Sequence, residues 1–203
     1  MIENQTSDKA RYCAAAIANY FLWRSWEEER DITLMKLLRL VYLTYGWNLV
    51  INNGEKLFAE PIEAWECGPV VPSLYCTFSS HGNHISHKHY GNKEFCYDSS
   101  TGELEYESTP MASDSTTVRI MSVIWRTYGS SNSFQLSKIT NYPGGAWDTA
   151  YKEGEKSILN DEKIKLDSII GINYYLWHRK SHKLKTLYKR LYKRFTTFLS
   201  SKL

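Results

Sequence analysis

Several things are missing from this 203-residue chain. No run of 18 or more apolar residues occurs, so no segment reads as a transmembrane helix. The four cysteines (Cys13, Cys67, Cys76 and Cys96) form no CxxC pair, and reduced thiols in a cytoplasmic protein are the simplest expectation. Met1 to Lys9 is polar and carries acids, unlike a signal peptide. The phosphate loop G-x-x-x-x-G-K-[ST], the dinucleotide fingerprint G-x-G-x-x-G, the zinc motif H-E-x-x-H and the nucleophile elbow G-x-S-x-G are all absent. The expectation is therefore no enzyme, no catalytic residue, no cofactor and no metal. Nothing repeats with a period of 20–50 residues, which excludes a solenoid.

Acid is missing from one end. After Asn173 there are nine Lys or Arg and no Asp or Glu; taking those nine from the 25 basic residues leaves 16 against 22 acids in residues 1–173, a net of −6. An acidic body with a basic tail points to a tail that has its own partner or that folds back on the body.

What is present suits a folded protein: 42% hydrophobic and 14% aromatic residues exclude disorder, and the length suits one domain of ordinary size. Proline is scarce, yet three of the five prolines fall in Pro61-Ile62-Glu63-Ala64-Trp65-Glu66-Cys67-Gly68-Pro69-Val70-Val71-Pro72. That stretch predicts an extended segment through Trp65, a sharp Gly68-Pro69 corner and a helix with Pro72 in its first turn. The corner would hold Glu63, Trp65 and Glu66 rigidly.

Periodicity predicts a mainly helical α+β chain. Ser7-Asp8 is placed to cap a helix through Tyr12, Ile17 and Phe21 to about Glu29. Thr33 caps a second, which Asn52-Asn53-Gly54 ends. After a short helix from Pro72 to about Ser80 and a polar loop over 81–93, Phe95 and Tyr97 face Leu104 and Tyr106 in a hairpin. Further helices start at Ser113 to Ser115, at Ser133, at Ala146 and at Asn160-Asp161-Glu162, the last with Ile158 as its hydrophobic staple.

Beyond about Gly171, Leu184, Leu187, Tyr188, Leu191, Tyr192, Phe195, Phe198 and Leu199 make one apolar face of a predicted helix. Lys189, Arg190 and Arg194 lie on the rest of its circumference. Such a helix docks on its own body, or enters a partner's groove, or meets a membrane surface or nucleic acid. His81, His84, His87 and His89 cluster between Cys76 and Cys96, but their spacing fits no zinc finger and a solvated loop is expected. Glu60, Glu63 and Glu66 recur every three residues around the corner without a nucleophile or phosphate loop beside them.

Several blocks then line up in order: Ala18-Asn19-Tyr20-Phe21-Leu22, Ile32 to Tyr42, Gly46-Trp47, Leu57-Phe58, Ile62 to Pro72, Val123 to Gly129, Leu136 to Asn141, Pro143, and Ala146 to Tyr151. Together they resemble the Panacea domain, also called the SocA-like or phage-associated GepA-like family, with Glu63, Trp65, Gly68, Pro69, Pro72 and Trp147 among the most specific positions. The resemblance runs over residues 8–170, so a domain at 1–170 and a basic amphipathic extension at 171–203 are expected. It implies an intracellular antitoxin that neutralises a cognate protein toxin by contact, without catalysis, with a protease or chaperone as a further partner. Thr140-Asn141 stands where the family tends to have Thr-His. A nucleic-acid-binding transcriptional regulator, or an accessory protein of phage defence, is the alternative. The tail residues Leu184, Leu187, Tyr188, Leu191, Tyr192, Phe195, Lys189, Arg190 and Arg194 are the expected toxin contacts.

Overall fold

The computed structural model describes residues 10–79, 85, 93–97, 104–108 and 111–178, with backbone alone for the two segments within 93–108 and for 173–178. Seven helices and two small antiparallel hairpins make up these residues, in agreement with the expected mainly helical class.

Helix α1 (Ala14–Glu27) starts later than the sequence predicts. Arg11 to Cys13 stay outside the helix, because Tyr12 bridges Phe58 and donates its N–H to the Leu57 carbonyl at 3.1 Å. Cys13 offers no capping side chain, so the Ala14 N–H is met by Glu60 Oε1 at 2.7 Å, an anion where the helix dipole favours one. Ser7 and Asp8 lie outside the described residues.

Helix α2 (Leu34–Ile51) is the axis of the molecule, with 15 of its 18 residues buried. Thr33 caps it through Lys36 N, and Asn53 and Gly54 end it at φ +57° and +95°, as the sequence predicts. A helix buried on nearly every side, with its few polar side chains hydrogen-bonded, belongs in a core. Here α1, α4 (Ser115–Tyr128), α5 (Ser133–Thr140) and α7 (Asp161–His178) surround it.

The proline-rich stretch forms β1 (Glu63–Trp65) and β2 (Gly68–Val70), paired Glu63 to Val70 and Trp65 to Gly68 around the two-residue turn Glu66-Cys67. On its other edge β1 is covered: Ala64 N–H bonds the Ser157 carbonyl at 2.9 Å, and Lys156 N–H bonds the Ala64 carbonyl at 2.7 Å. Helix α3 follows at Pro72–Ser79 with Leu74 and Phe78 buried. The second hairpin, β3 (Lys93–Tyr97) with β4 (Leu104–Ser108), pairs Phe95 with Tyr106 and Tyr97 with Leu104.

The cap of α5 lies one residue earlier than expected and the staple before α7 one residue later, while the starts of α4 and α7 fall where the sequence predicts. Asp114 caps α4 through the N–H groups of Thr116 and Thr117. Asn132 caps α5 in a capping box with Gln135, and Ser133 instead meets Thr33 Oγ1 at 2.7 Å. Asn160 caps α7 as predicted, but that makes Leu159 the preceding residue: Leu159 is buried with Ile164 in the core, while Ile158 is exposed. Between these, α6 (Ala146–Glu153) takes its N-terminal partner from another helix, as described below.

Candidate functional site

The corner is built from beneath by Arg39. On α2 its neighbours in sequence are Leu37, Leu38, Leu40 and Val41, and its side chain is fully buried. The guanidinium donates through Nη1 to the Pro69 carbonyl at 2.6 Å and through Nη2 to the Cys67 carbonyl, so one planar fork grips both sides of Gly68. Among the described residues Arg39 has no ion pair. Burial therefore pulls its pKa down, to about 10, while the neighbouring Cys67 thiol and Tyr42 pull it back up; it stays charged at neutral pH.

Gly68 sits at φ +116°, where side chains are strained, and space is lacking as well. A Cβ there would lie 2.5 Å from Asn141 Oδ1, 2.7 Å from Arg39 Cζ and nearer still to Arg39 Nη2. Asn141, at the end of α5, donates Nδ2 to the Cys67 carbonyl at 3.4 Å, and its Oδ1 accepts from Thr140 Oγ1 at 2.7 Å. The side chain standing where a histidine is expected is thus a donor to the corner.

Above this clamp lie half-buried aromatics. Trp65 donates Nε1 to Glu63 Oε2 at 2.8 Å, packs on Tyr75 at 4.9 Å between ring centroids, and has Lys156 Nζ 5.3 Å from its ring. Trp147 donates Nε1 to the Trp65 carbonyl at 2.8 Å and stacks on Tyr151 at 5.1 Å. Glu63, Trp65, Gly68, Pro69 and Trp147 therefore belong to one local assembly, and Pro72 opens the helix α3 that carries Tyr75. The three carboxylates do not: Glu60 caps α1, Glu63 holds Trp65, and Glu66 is exposed in the turn.

A half-buried carboxylate adjoins the clamp. Asp167 on α7 accepts from the Tyr142 hydroxyl and, at 2.7 Å, from the Ala146 N–H at the start of α6. It supplies the cap that Gly145 lacks. Burial first, and then Asp167, push the phenols of Tyr42 and Tyr142 well above the usual range, so both stay neutral, and Tyr142 is the one that donates to Asp167. Among the described residues the buried Tyr42 hydroxyl and Arg39 Nε find no hydrogen-bond partner. One turn earlier on α2, buried Lys36 donates to the Gly129 carbonyl at 2.6 Å and lies 5.7 Å from the Trp125 ring, with burial and then Arg30 lowering its pKa.

Sequence reasoning missed Arg39, Asn141 and Asp167. Arg39 left a signal, a cation at the centre of Leu37-Leu38-Arg39-Leu40-Val41. Asp167 left none. Leu184, Leu187, Tyr188, Lys189, Arg190, Leu191, Tyr192, Arg194 and Phe195 lie outside the described residues, as do His81, His84, His87 and His89. Among the described residues Cys13, Cys67 and Cys76 are free and exposed, and no helix is long and apolar enough to cross a membrane.

These features define a small helical domain organised around a clamped Gly-Pro hairpin with no assembled catalytic constellation among its described residues. The family described as "Antitoxin SocA-like, Panacea domain" matches residues 34–148, from the first residue of α2 into α6. Antitoxin SocA of Caulobacter vibrioides (strain NA1000 / CB15N) is 30% identical over 146 residues, which cover 70% of this chain and 72% of that protein. The chain belongs to the SocA-like antitoxin family with a Panacea domain. No solved structure matches it.

Proposed function

We propose that this protein is an antitoxin that neutralises a cognate protein toxin by direct contact, with no catalytic step of its own. The observation that carries the reading is the family match, because it spans Arg39, Gly68, Asn141 and Trp147, the residues that tie the domain together. The separate engagements of Glu60 and Glu63 speak against paired-carboxylate chemistry. In this proposal residues 1–170 form the scaffold and residues 171–203 the extension, whose face Leu184, Leu187, Tyr188, Leu191, Tyr192 and Phe195 enters an apolar groove of the toxin. Lys189, Arg190 and Arg194 draw it toward an acidic surface.

The test is co-expression with the product of the adjacent reading frame. Full-length protein should restore growth to cells poisoned by that product, and Leu187→Glu with Leu191→Glu in the full-length chain should abolish rescue. Rescue undiminished by the pair of substitutions would remove the tail from the contact; absence of toxicity in the neighbouring product would remove the antitoxin assignment for this pair. Truncation after Gly171 is a poorer test, since Ile172 is 7% exposed and belongs to the core.

A further inference from the structure

Asparagine is a thermolabile residue, because the backbone nitrogen that follows it can attack its carboxamide. Three things favour that attack: a carboxamide that no other group holds, a next residue without a Cβ to crowd the closing ring, and exposure of both. Asn48, Asn52, Asn132, Asn141 and Asn160 all have their carboxamides in hydrogen bonds, and Asn19 is buried. Asn53 is different. It is exposed at the end of α2, and its carboxamide has no hydrogen bond among the described residues. It also precedes Gly54 in the only Asn-Gly pair of the 203-residue chain.

The surroundings leave room for the ring. Gly54 is exposed, and a Cβ there would meet nothing nearer than Lys165 Nζ at 3.5 Å. The Gly54 N–H donates to the Leu49 carbonyl at 2.7 Å, so the nitrogen must first leave that bond. It does so at the C-terminal end of α2, where residues 53 to 56 are all exposed. Helix ends fray at little free-energy cost compared with a buried core. The bond therefore slows the attack without preventing it. Charge helps: Lys165 stands beside Gly54, while Glu55 is paired with Arg11 at 2.7 Å. A neighbouring cation favours the anionic nitrogen that attacks.

From this we infer that Asn53 is a site of spontaneous modification, at which the protein converts the cap of its own central helix to aspartate and isoaspartate. Gly54 N gives its proton to solvent and bonds to Asn53 Cγ; the Cγ–Nδ2 bond breaks, and Nδ2 leaves as ammonia with a proton from water. The succinimide so formed takes up one water. Addition at Cγ breaks the bond from Cγ to Gly54 N and gives aspartate; addition at the backbone carbonyl breaks the peptide bond and gives isoaspartate. The balance is asparagine and water to carboxylate and ammonium, with no change of oxidation state. In isoaspartate the chain runs through Cγ and is one methylene longer, so the Gly54 N–H loses its register with the Leu49 carbonyl. Either product places a carboxylate at the C-terminal end of α2, where the helix dipole disfavours an anion. This chemistry stands apart from the antitoxin reading.

The experiment ages the full-length protein in mildly alkaline buffer beside full-length Asn53→Gln, whose longer side chain closes a ring far more slowly. Peptide mapping by mass spectrometry locates the amide-to-acid change, enzymatic carboxyl methylation detects isoaspartate, and the thermal midpoint is followed by circular dichroism. Residue 53 should convert in the native protein ahead of every other asparagine. The aged protein should melt about 2–6 °C below fresh protein, and Asn53→Gln should keep its midpoint. Conversion seen only in denaturant would mean that the bond to Leu49 holds the nitrogen in the native fold. Earlier conversion at another asparagine would mean that exposure and the glycine do not decide the site. An equal loss of midpoint in Asn53→Gln would place the ageing elsewhere in the chain. Any of these three results overturns the inference.

Discussion

Replacing Gly68 with alanine tests whether the corner is held by a close-fitting clamp or only by its backbone conformation. Two costs are expected. The φ of +116° is strained for any side chain, at about 1–2 kcal/mol. The new methyl would also meet Arg39 Cζ at 2.7 Å and Asn141 Oδ1 at 2.5 Å, which forces the fork off the Cys67 carbonyl. Losing one charge-assisted hydrogen bond in a buried site costs about 1.5–3 kcal/mol. The sum, about 3–5 kcal/mol, is a large part of the stability of an ordinary domain. Gly144→Ala supplies the control: its φ is +82°, but nothing lies within 4 Å of the added Cβ, so only the backbone cost of about 1–2 kcal/mol applies. At about 2–4 °C per kcal/mol for a chain of this length, the Gly68 variant should melt roughly 6–20 °C below the parent and the Gly144 variant only a few degrees below, read by circular dichroism at fixed concentration. A third measurement isolates the clash. In an Arg39→Met background the obstructing guanidinium is gone, so Gly68→Ala should cost less than it does in the parent, and the two substitutions should not add. Equal melting shifts for the two glycines, or strict additivity with Arg39→Met, would refute the clamp.

Other parts of the network make predictions of their own. At Gly46 an added Cβ would collide with Ser168 Oγ and come within 3.2 Å of Ile164 Cγ2; Gly46→Ala should therefore destabilise by about 1–3 kcal/mol, and Ser168→Gly in the same chain should restore most of the loss in a denaturant titration. Asp167→Ala strips the Ala146 N–H and the Tyr142 hydroxyl of their acceptor and should cost about 1–3 kcal/mol, with early hydrogen exchange at the start of α6. Asp114 has a folded pKa below its ordinary value: burial alone would raise it, but hydrogen bonds from Thr117, Tyr12 and Thr116 outweigh that. A depressed carboxylate stabilises the fold above its unfolded value of 3.8 and loses that contribution as pH falls through the folded value. Stability measured from pH 6 downward should thus decline less steeply below about pH 4 in Asp114→Ala than in the parent; parallel curves would contradict the assignment.

The parts of the fold legible from sequence were those that local chemistry decides. Helix α2 announced itself through an apolar periodicity (Leu34, Leu37, Leu38, Val41, Tyr42, Tyr45) between a threonine cap and an Asn-Gly stop, and the second hairpin through alternation on either side of a turn. Pro72 at the first residue of α3 follows from its missing N–H. The misplacements arise where a residue's partner is remote in sequence. Tyr12 fits a helical stripe, yet its hydroxyl bonds Asp114 Oδ2 at 2.9 Å and its backbone bridges Phe58, and these contacts hold it outside α1. Glu60 suggested a carboxylate cluster, yet the free amide of Ala14 claims it. Ile158 and Leu159 are neighbours of similar character, and only the position of the cap decides which is buried. Asp167, in a helix with acids and lysines throughout its first two turns, carries nothing in its local sequence that marks it as the cap of another helix.

How the polar groups are used bears on what the corner is for. Arg39 gives both Nη groups to backbone carbonyls, Asn141 gives its amide to one of the same carbonyls, Trp65 and Trp147 give their indole N–H groups to Glu63 and to the Trp65 carbonyl, and Asp167 gives both oxygens to the loop before α6. A partner binding here would find those polar groups already engaged, and capturing any of them would mean breaking a bond that holds the domain. What the corner leaves for outside contact is the exposed Glu66 and Cys67 and the half-buried edges of its rings. Leu166 and Ile170 on α7 are in the opposite situation: they are exposed and apolar, and no bond that holds the corner passes through them. Recognition directed through an exposed surface of that kind could change from one partner to the next by substitutions that leave the clamp untouched. Recognition directed through the corner could not, because each adaptation there would cost stability in a network anchored on α2.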